Sequence, residues 1–504
     1  MGARNRTPLR GLALQGFVIG LVTGLIVYAI AEYWVDEVAN PQLPATVLFF
    51  VVSGALAFLL LAEKRRLTGA LAAALAIAGI IAVPDYFMMG AADGDGRNLT
   101  EFPAIFWFGL SGPIVAYLLT TLAKAAQEEG APPPYSAVFF HGLTLPLIVA
   151  GAALFALLAI VLLFAWAALL KSMDVSFFHE TFQEPWFMLP FLGAVGGLST
   201  AMMRGQDAVL GALRLILLLF CRIAIPIMAV FSVTFIVVLA TNGTAAIVDK
   251  PYPGAIMLGL AFAAMLIFNG VYQNGEGGPP GLWLRIPTLV TLASFPVYAG
   301  VAAWAFWLRV DQYGLTPGRV AGVAMTGLAA AYSLVCIAGI VSEFTWRTDR
   351  WMPLVAPINT AMTLLWIVVL IALATPVLDP WALSAHSQYA RLADGELDAT
   401  EFDYGYLRFR LGAHGEKALD RLLALEDHPQ AVEIRRGVER ARAAPNYWTY
   451  EHGDREAPRP APHEKDSSGP MDLELNPKGA NAEPDDSSHA PAQDEENSGD
   501  PGMP

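Results

Sequence analysis

Runs of about twenty apolar residues recur along this chain, separated by short polar turns, and that recurrence restricts the fold more than any other feature. They lie at 11–31, 43–62, 67–83, 102–122, 145–170, 186–203, 223–240, 254–271, 286–307, 320–341 and 354–374. A bilayer core about 30 Å thick is crossed by about 20 helical residues, so each run is long enough to span it or nearly so. In lipid the backbone must satisfy its own hydrogen bonds, which leaves helices as the form for such runs. The expectation is an all-α fold, a polytopic transmembrane helix bundle of about eleven spans. Runs 67–83 and 186–203 are the short ones.

Composition refines this reading. The formal charge of -14 belongs mainly to the C-terminal end, where about 14 acidic and 4 basic side chains follow from Glu451 onward. The rest is close to neutral, and nothing in it suggests a nucleic-acid partner. The two cysteines, Cys221 and Cys336, sit in apolar surroundings and offer neither a disulfide framework nor a thiolate metal site. At the N-terminus Arg4, Arg6 and Arg10 precede the first run, and Ala29-Ile30-Ala31 mimics a signal-peptidase site. The run is too long for a signal-peptide core and reads as an uncleaved span.

Lysine and arginine in the short loops set the orientation. With the N-terminus inside, the inner loops hold Arg4, Arg6, Arg10, Lys64, Arg65, Arg66, Lys124, Arg204, Arg214, Arg285, Arg347 and Arg350. The outer loops hold only Arg97, Lys171, Lys250, Arg309 and Arg319. The N-terminus is therefore expected in the cytoplasm, and an odd number of spans sends everything after Pro376 to the far side, the periplasm of a bacterial cell inner membrane.

There the sequence turns polar at "LDPWALSAHSQYARL", 378–392. Asp398 and Glu401 have capping-box spacing and predict a helix to about Arg410. Further helices are expected over 416–425 and 431–443, and elements this short need tertiary packing. The domain reading is a bundle over 1–376, an extramembrane helical cap over 377–444 and a disordered acidic tail over 445–504, rich in Pro, Ser and Gly.

Polar residues inside or beside the spans are the candidate sites. "NGVYQNGEGGPP", 269–280, sets Asn269 and Gln273 on one helix face; with Asn359 they form a candidate polar path, or they bond neighbouring helices. Asp85 poses the same choice. Pro146, Pro226, Pro287 and Pro296 fit either the discontinuous helices of transporters or ordinary membrane helices. Arg214 and Arg222 read as interfacial anchors, and Glu343 with Arg347 as a helical ion pair. "DGDGRNLTE", 93–101, lacks calcium ligands at the required positions. "FFHETFQEPWF", 177–187, has no second histidine at zinc-ligand spacing, and "GAHGEK", 412–417, departs from a phosphate loop. No catalytic motif, metal site or cofactor site is found.

The stretches "NGVYQNGE" (269–276), "QYGLTPGRV" (312–320), "TPVLDPWALSAHSQYARL" (375–392) and "DYGYLRFRLGAHGEKAL" (403–419) carry a resemblance. Through them the chain resembles a bacterial family of multi-pass inner-membrane proteins, domain of unknown function 4153, over roughly 139–425. Asn274 stands where its members commonly carry Asp. The resemblance implies architecture and location, without a substrate or catalytic residue.

Combined with the topology, it leads to the expectation that the cap docks on the outer face through Tyr313, Pro317, Trp381 and Tyr406. The functional expectation is a non-enzymatic membrane component, embedded in the lipid bilayer, whose cap packs on the bundle or binds an envelope protein partner. The alternative is a transporter or permease for a small polar solute.

Overall fold

A computed structural model describes residues 7–34, 42–63, 66–91, 109–243, 253–345 and 349–453. The acidic tail beyond 453, the 93–101 loop and Arg347 lie outside the described residues. Every regular element among the described residues is helical. In chain order these are α1 (Thr7–Tyr33), α2 (Gln42–Leu61), α3 (Leu67–Ala91), α4 (Gly112–Glu129), α5 (Tyr135–Lys171) and α6 (Phe177–Gln183). Then come α7 (Pro185–Met203), α8 (Asp207–Asn242), α9 (Pro253–Tyr272), α10 (Leu282–Tyr313), α11 (Pro317–Thr345) and α12 (Val355–Leu373). The cap follows as α13 (Pro380–Ala393), α14 (Tyr404–Arg410), α15 (Gly412–Leu423), α16 (Ala431–Ala443) and α17 (Tyr447–His452).

Ten of the described helices are long and apolar enough to cross a membrane: α1 to α3, α5 and α7 to α12. They coincide with ten of the eleven expected runs. The remaining run, 102–122, lies partly outside the described residues, and its described part belongs to α4, which continues into the polar sequence Lys124–Glu129. Both runs that looked short belong to adequate helices, of 25 residues for α3 and 19 for α7. Of the two readings of the prolines, the helices follow the ordinary one: α5 passes through Pro146, α8 through Pro226, and α10 through Pro287 and Pro296.

Three packing regions hold this part of the molecule together. α1 and α7 meet backbone to backbone. A Cβ built on Gly20 would lie 1.9 Å from the Gly193 carbonyl oxygen, and one on Gly197 would lie 2.2 Å from that of Gly16. Only glycine permits this approach, and in lipid such close van der Waals contact is what associates helices. α8 to α12 share a second core around Ile225, Phe268, Phe295, Tyr298 and Val335. There Tyr298 Oη donates to Ser232 Oγ at 2.6 Å, a polar tie between α10 and α8.

The third core joins the cap to the bundle. Ala57, Ile81, Met88, Ile367 and Leu370 from the spans and Val115 of α4 share one apolar cluster with Trp381, Leu392, Leu407, Leu419 and Val438 from the cap. The expected capping box does not start a helix. Asp398 closes a local turn, accepting from Thr400 N at 2.8 Å, and is held by Gln430 Nε2 at 2.7 Å. Asp403 caps α14 instead, accepting from Tyr406 N at 2.9 Å. Gly415 is explained by packing: a Cβ there would lie 1.8 Å from the Leu407 carbonyl oxygen, so α14 and α15 cross in contact. α17 adds a further short helix beyond the expected end of the cap.

Candidate functional site

The bundle has a face beneath the cap and an opposite face, and candidate residues occur at both. At the cap face, Asp379 begins α13. Its Oδ1 accepts from Trp381 N at 2.9 Å and Ala382 N at 3.2 Å, and its Oδ2 lies 3.0 Å from His414 Nε2 of α15. One carboxylate thereby caps one helix and ties it to another. Burial acts to raise its pKa, but the hydrogen bond and charge of His414, together with the two backbone amides, hold it below the usual aspartate value.

α13 then grips the turn between α10 and α11. Ser387 Oγ accepts from Leu315 N at 3.1 Å, Gln388 Nε2 donates to the carbonyls of Tyr313 and Leu315, each at 3.1 Å, and Arg391 Nη2 donates to Gln312 O at 3.0 Å. Of the four docking candidates, Trp381 and Pro317 are buried, and Tyr406 is half-buried against the shared core. Burial, opposed by the charge of Arg319, pushes Tyr406 up to about 12. Tyr313 is used differently: its ring is 53% exposed beside Arg309 and Arg319, and its carbonyl makes the contact with the cap. Ser387, Gln388 and Arg391 carry no signal in the sequence, because they recognise backbone.

At the opposite face, Asn269 and Asn359 come together. Asn359 Nδ2 donates to Asn269 Oδ1 at 2.7 Å, and Tyr135 Oη donates to the same oxygen at 3.3 Å. Asn269 Nδ2 donates to Tyr332 Oη and to Met265 O, both at 2.8 Å. Four helices, α5, α9, α11 and α12, meet in this network. Gln273 stands one turn further on and takes no part in it through its side chain; its φ of 59° ends α9.

Two cavities meet at Gln273 and Asn274. One, of about 230 Å³, is walled by Arg222, Tyr272, Leu284 and Trp351 as well as by that pair. The other, of about 390 Å³, runs between α5 and α8 along Phe139, Phe140, Leu143, Arg214, Leu215 and Leu218. Arg214 lies 4.2 Å from the Phe140 ring centroid and 3.3 Å from Thr144 Oγ1.

Elsewhere on this face Lys124 pairs with Glu63 and, at 3.1 Å, with Glu128, which also meets His141 Nε2 at 3.0 Å. Arg204 donates to the carbonyls of Leu59 and Ala62. Glu343 pairs with Arg285 of α10. Toward the cap, Asp85 of α3 is fully buried beside Thr46 of α2.

No group of three or more His, Cys, Asp or Glu that could hold a metal occurs among the described residues. The fold and its two faces define a polytopic helical membrane protein with an integrated extramembrane helical cap. The family model described as "Domain of unknown function (DUF4153)" matches residues 16–422, and the chain belongs to that family. The match takes in the bundle from α1 and the cap through Leu422, leaving α16 and α17 outside it. Neither the curated proteins nor the solved structures contain a match.

Proposed function

We propose that the protein is a non-enzymatic component of a bacterial inner membrane, with the cap in the periplasm as a fixed platform for an envelope partner. The observation that carries this reading is the apolar cluster shared by cap and spans. A domain with a common core and a hydrogen-bonded seam presents its outer surface in one fixed orientation. That surface includes the exposed side of α16, with Val432, Arg435, Arg436 and Glu439. The excess of lysine and arginine in alternate loops supports the periplasmic placement.

Photo-crosslinking residues placed at Val432 and Arg436 in intact cells test the platform, with buried Leu407 as the control. The expected result is a discrete protein adduct from the exposed positions that Arg435→Glu with Arg436→Glu removes. Adducts to lipid alone, or none, would overturn the reading.

A permease is favoured by one observation, the two cavities that meet at Gln273. Its route past Asn269 and Asn359 requires their network to open. Cysteine at either position, in a chain without Cys221 and Cys336, would then react with an impermeant thiol reagent, and a solute that crosses would protect it. The platform reading predicts no reaction.

A further inference from the structure

We infer that the paired cavities bind the phosphate headgroup of an anionic phospholipid, with its acyl chains leaving past Phe220 and Ile223 along the exposed apolar surface of α8. The inference does not depend on the platform reading. Its first support is charge. Arg214 and Arg222 each line one cavity, and neither is paired with a carboxylate among the described residues, whereas Arg285 on the same face is held by Glu343. The side-chain amides of Gln273 and Asn274 stand at the junction. Trp351 adds a buried indole N–H with no acceptor among the described residues. A wall with two guanidiniums, the Gln273 amide and an orphan N–H suits an anion with several acceptor oxygens. The Glu276 carboxylate is engaged at 3.0 Å by Asn274 Nδ2.

Depth and polarity select a lipid over a soluble anion. At 1.5 Å per residue, about 30 Å of helix separates Arg222 from Asn242, one hydrocarbon thickness. If Asn242 lies at one headgroup layer, Arg222 therefore lies at the other. The larger cavity is mainly apolar and opens sideways, since Phe140 is 47% exposed and Leu215 67%, with Phe220 and Ile223 continuing the exposed apolar surface of α8. A soluble anion has no use for the apolar surface at Phe220 and Ile223, whereas an acyl chain does.

Native mass spectrometry of the full-length protein in detergent tests the site, titrating phosphatidylglycerol against phosphatidylcholine of the same acyl composition, with and without millimolar inorganic phosphate. One phosphatidylglycerol adduct is expected, preferred several-fold over phosphatidylcholine and not displaced by phosphate. Removing both charges, Arg214→Gln with Arg222→Gln, is expected to weaken that adduct by about tenfold or more. Lys171→Gln with Arg421→Gln, which deletes equal charge elsewhere, leaves it unchanged. Arg222→Gln alone, which removes an exposed side chain without a carboxylate partner among the described residues, is expected to give several-fold weakening in a folded protein. Equal affinity for the two lipids, wild-type binding by the double variant, or displacement by inorganic phosphate would each overturn the assignment.

Discussion

The two faces of the bundle are built on opposite plans. Beneath the cap, the chain supplies its own cover: Trp381, Leu407 and Leu419 continue the apolar core of the spans, while Ser387, Gln388 and Arg391 bond the α10–α11 turn. At the opposite face, the spans end in a loop around Gln273, two cavities and arginines without carboxylate partners among the described residues. One face is closed by a shared apolar core and a hydrogen-bonded seam, and the other keeps open cavities lined by donor groups. The difference teaches that the cap belongs to the structural core, while the uncovered face has unused binding capacity.

Substitutions can separate the two plans. The largest effect is expected from Trp381→Ala, which empties a buried indole site in the shared core; about 3–5 kcal/mol of stability is expected to go, and proteolysis should cut within 380–443 before the spans. Unchanged protease resistance would mean that the cap does not depend on this core. Asp379→Ala is expected to cost about 1–2 kcal/mol by removing a helix cap, together with the link to His414.

That aspartate also predicts a pH dependence. Its folded pKa is depressed, so its contribution is fully present above the ordinary aspartate value of about 3.9 and is lost as pH falls through the lower folded value. Wild-type cap protection should therefore decline in that acid range, and the Asp379→Ala protein should have lost that component already. Thermal unfolding followed across pH 2 to 6 would distinguish the two.

At the opposite face the expected effects are smaller. Asn359→Leu breaks the link to Asn269, and polar contacts between membrane helices average about 0.6 kcal/mol with a maximum near 1.7. Gln273→Ala is expected to change stability by less than about 0.5 kcal/mol, because its side chain lines the cavities without joining the network. A loss above 2 kcal/mol at Gln273, measured by unfolding in detergent, would show that the open face is as tightly built as the capped one.

Much of this architecture was legible in the sequence, because hydrophobic length fixes a membrane helix almost independently of its surroundings. The α16 bounds and the polar turn at 378 could be read for the same local reasons. What tertiary contacts decided could not be read. Asp398 and Asp403 are both plausible caps, and Gln430, more than thirty residues away, draws Asp398 into a turn. Arg285 of α10 meets Glu343 of α11, a pairing across helices that spacing along one helix does not announce.

The α1–α7 seam is a different case. Gly16, Gly20 and Gly24, with Gly193 and Gly197, repeat every fourth residue and announce two close-packing faces, although not that these faces pair with each other. At the candidate sites, the sequence named Asn269 and Asn359 but gave no sign that Tyr135 and Tyr332 would complete their network. Gln273 shares their helix face in sequence, but the left-handed residue at the end of α9 separates it from them.

Hydrogen exchange of the full-length protein in lipid nanodiscs tests the central claim most directly, comparing peptides of α13 to α16 with those of the span ends beneath them. A cap that shares its core with the bundle predicts slow exchange in α13, α14 and α15, comparable to the ends of α3 and α12, and faster exchange in the 273–281 loop. Exchange of the whole cap within seconds, while the spans stay protected, would contradict the account.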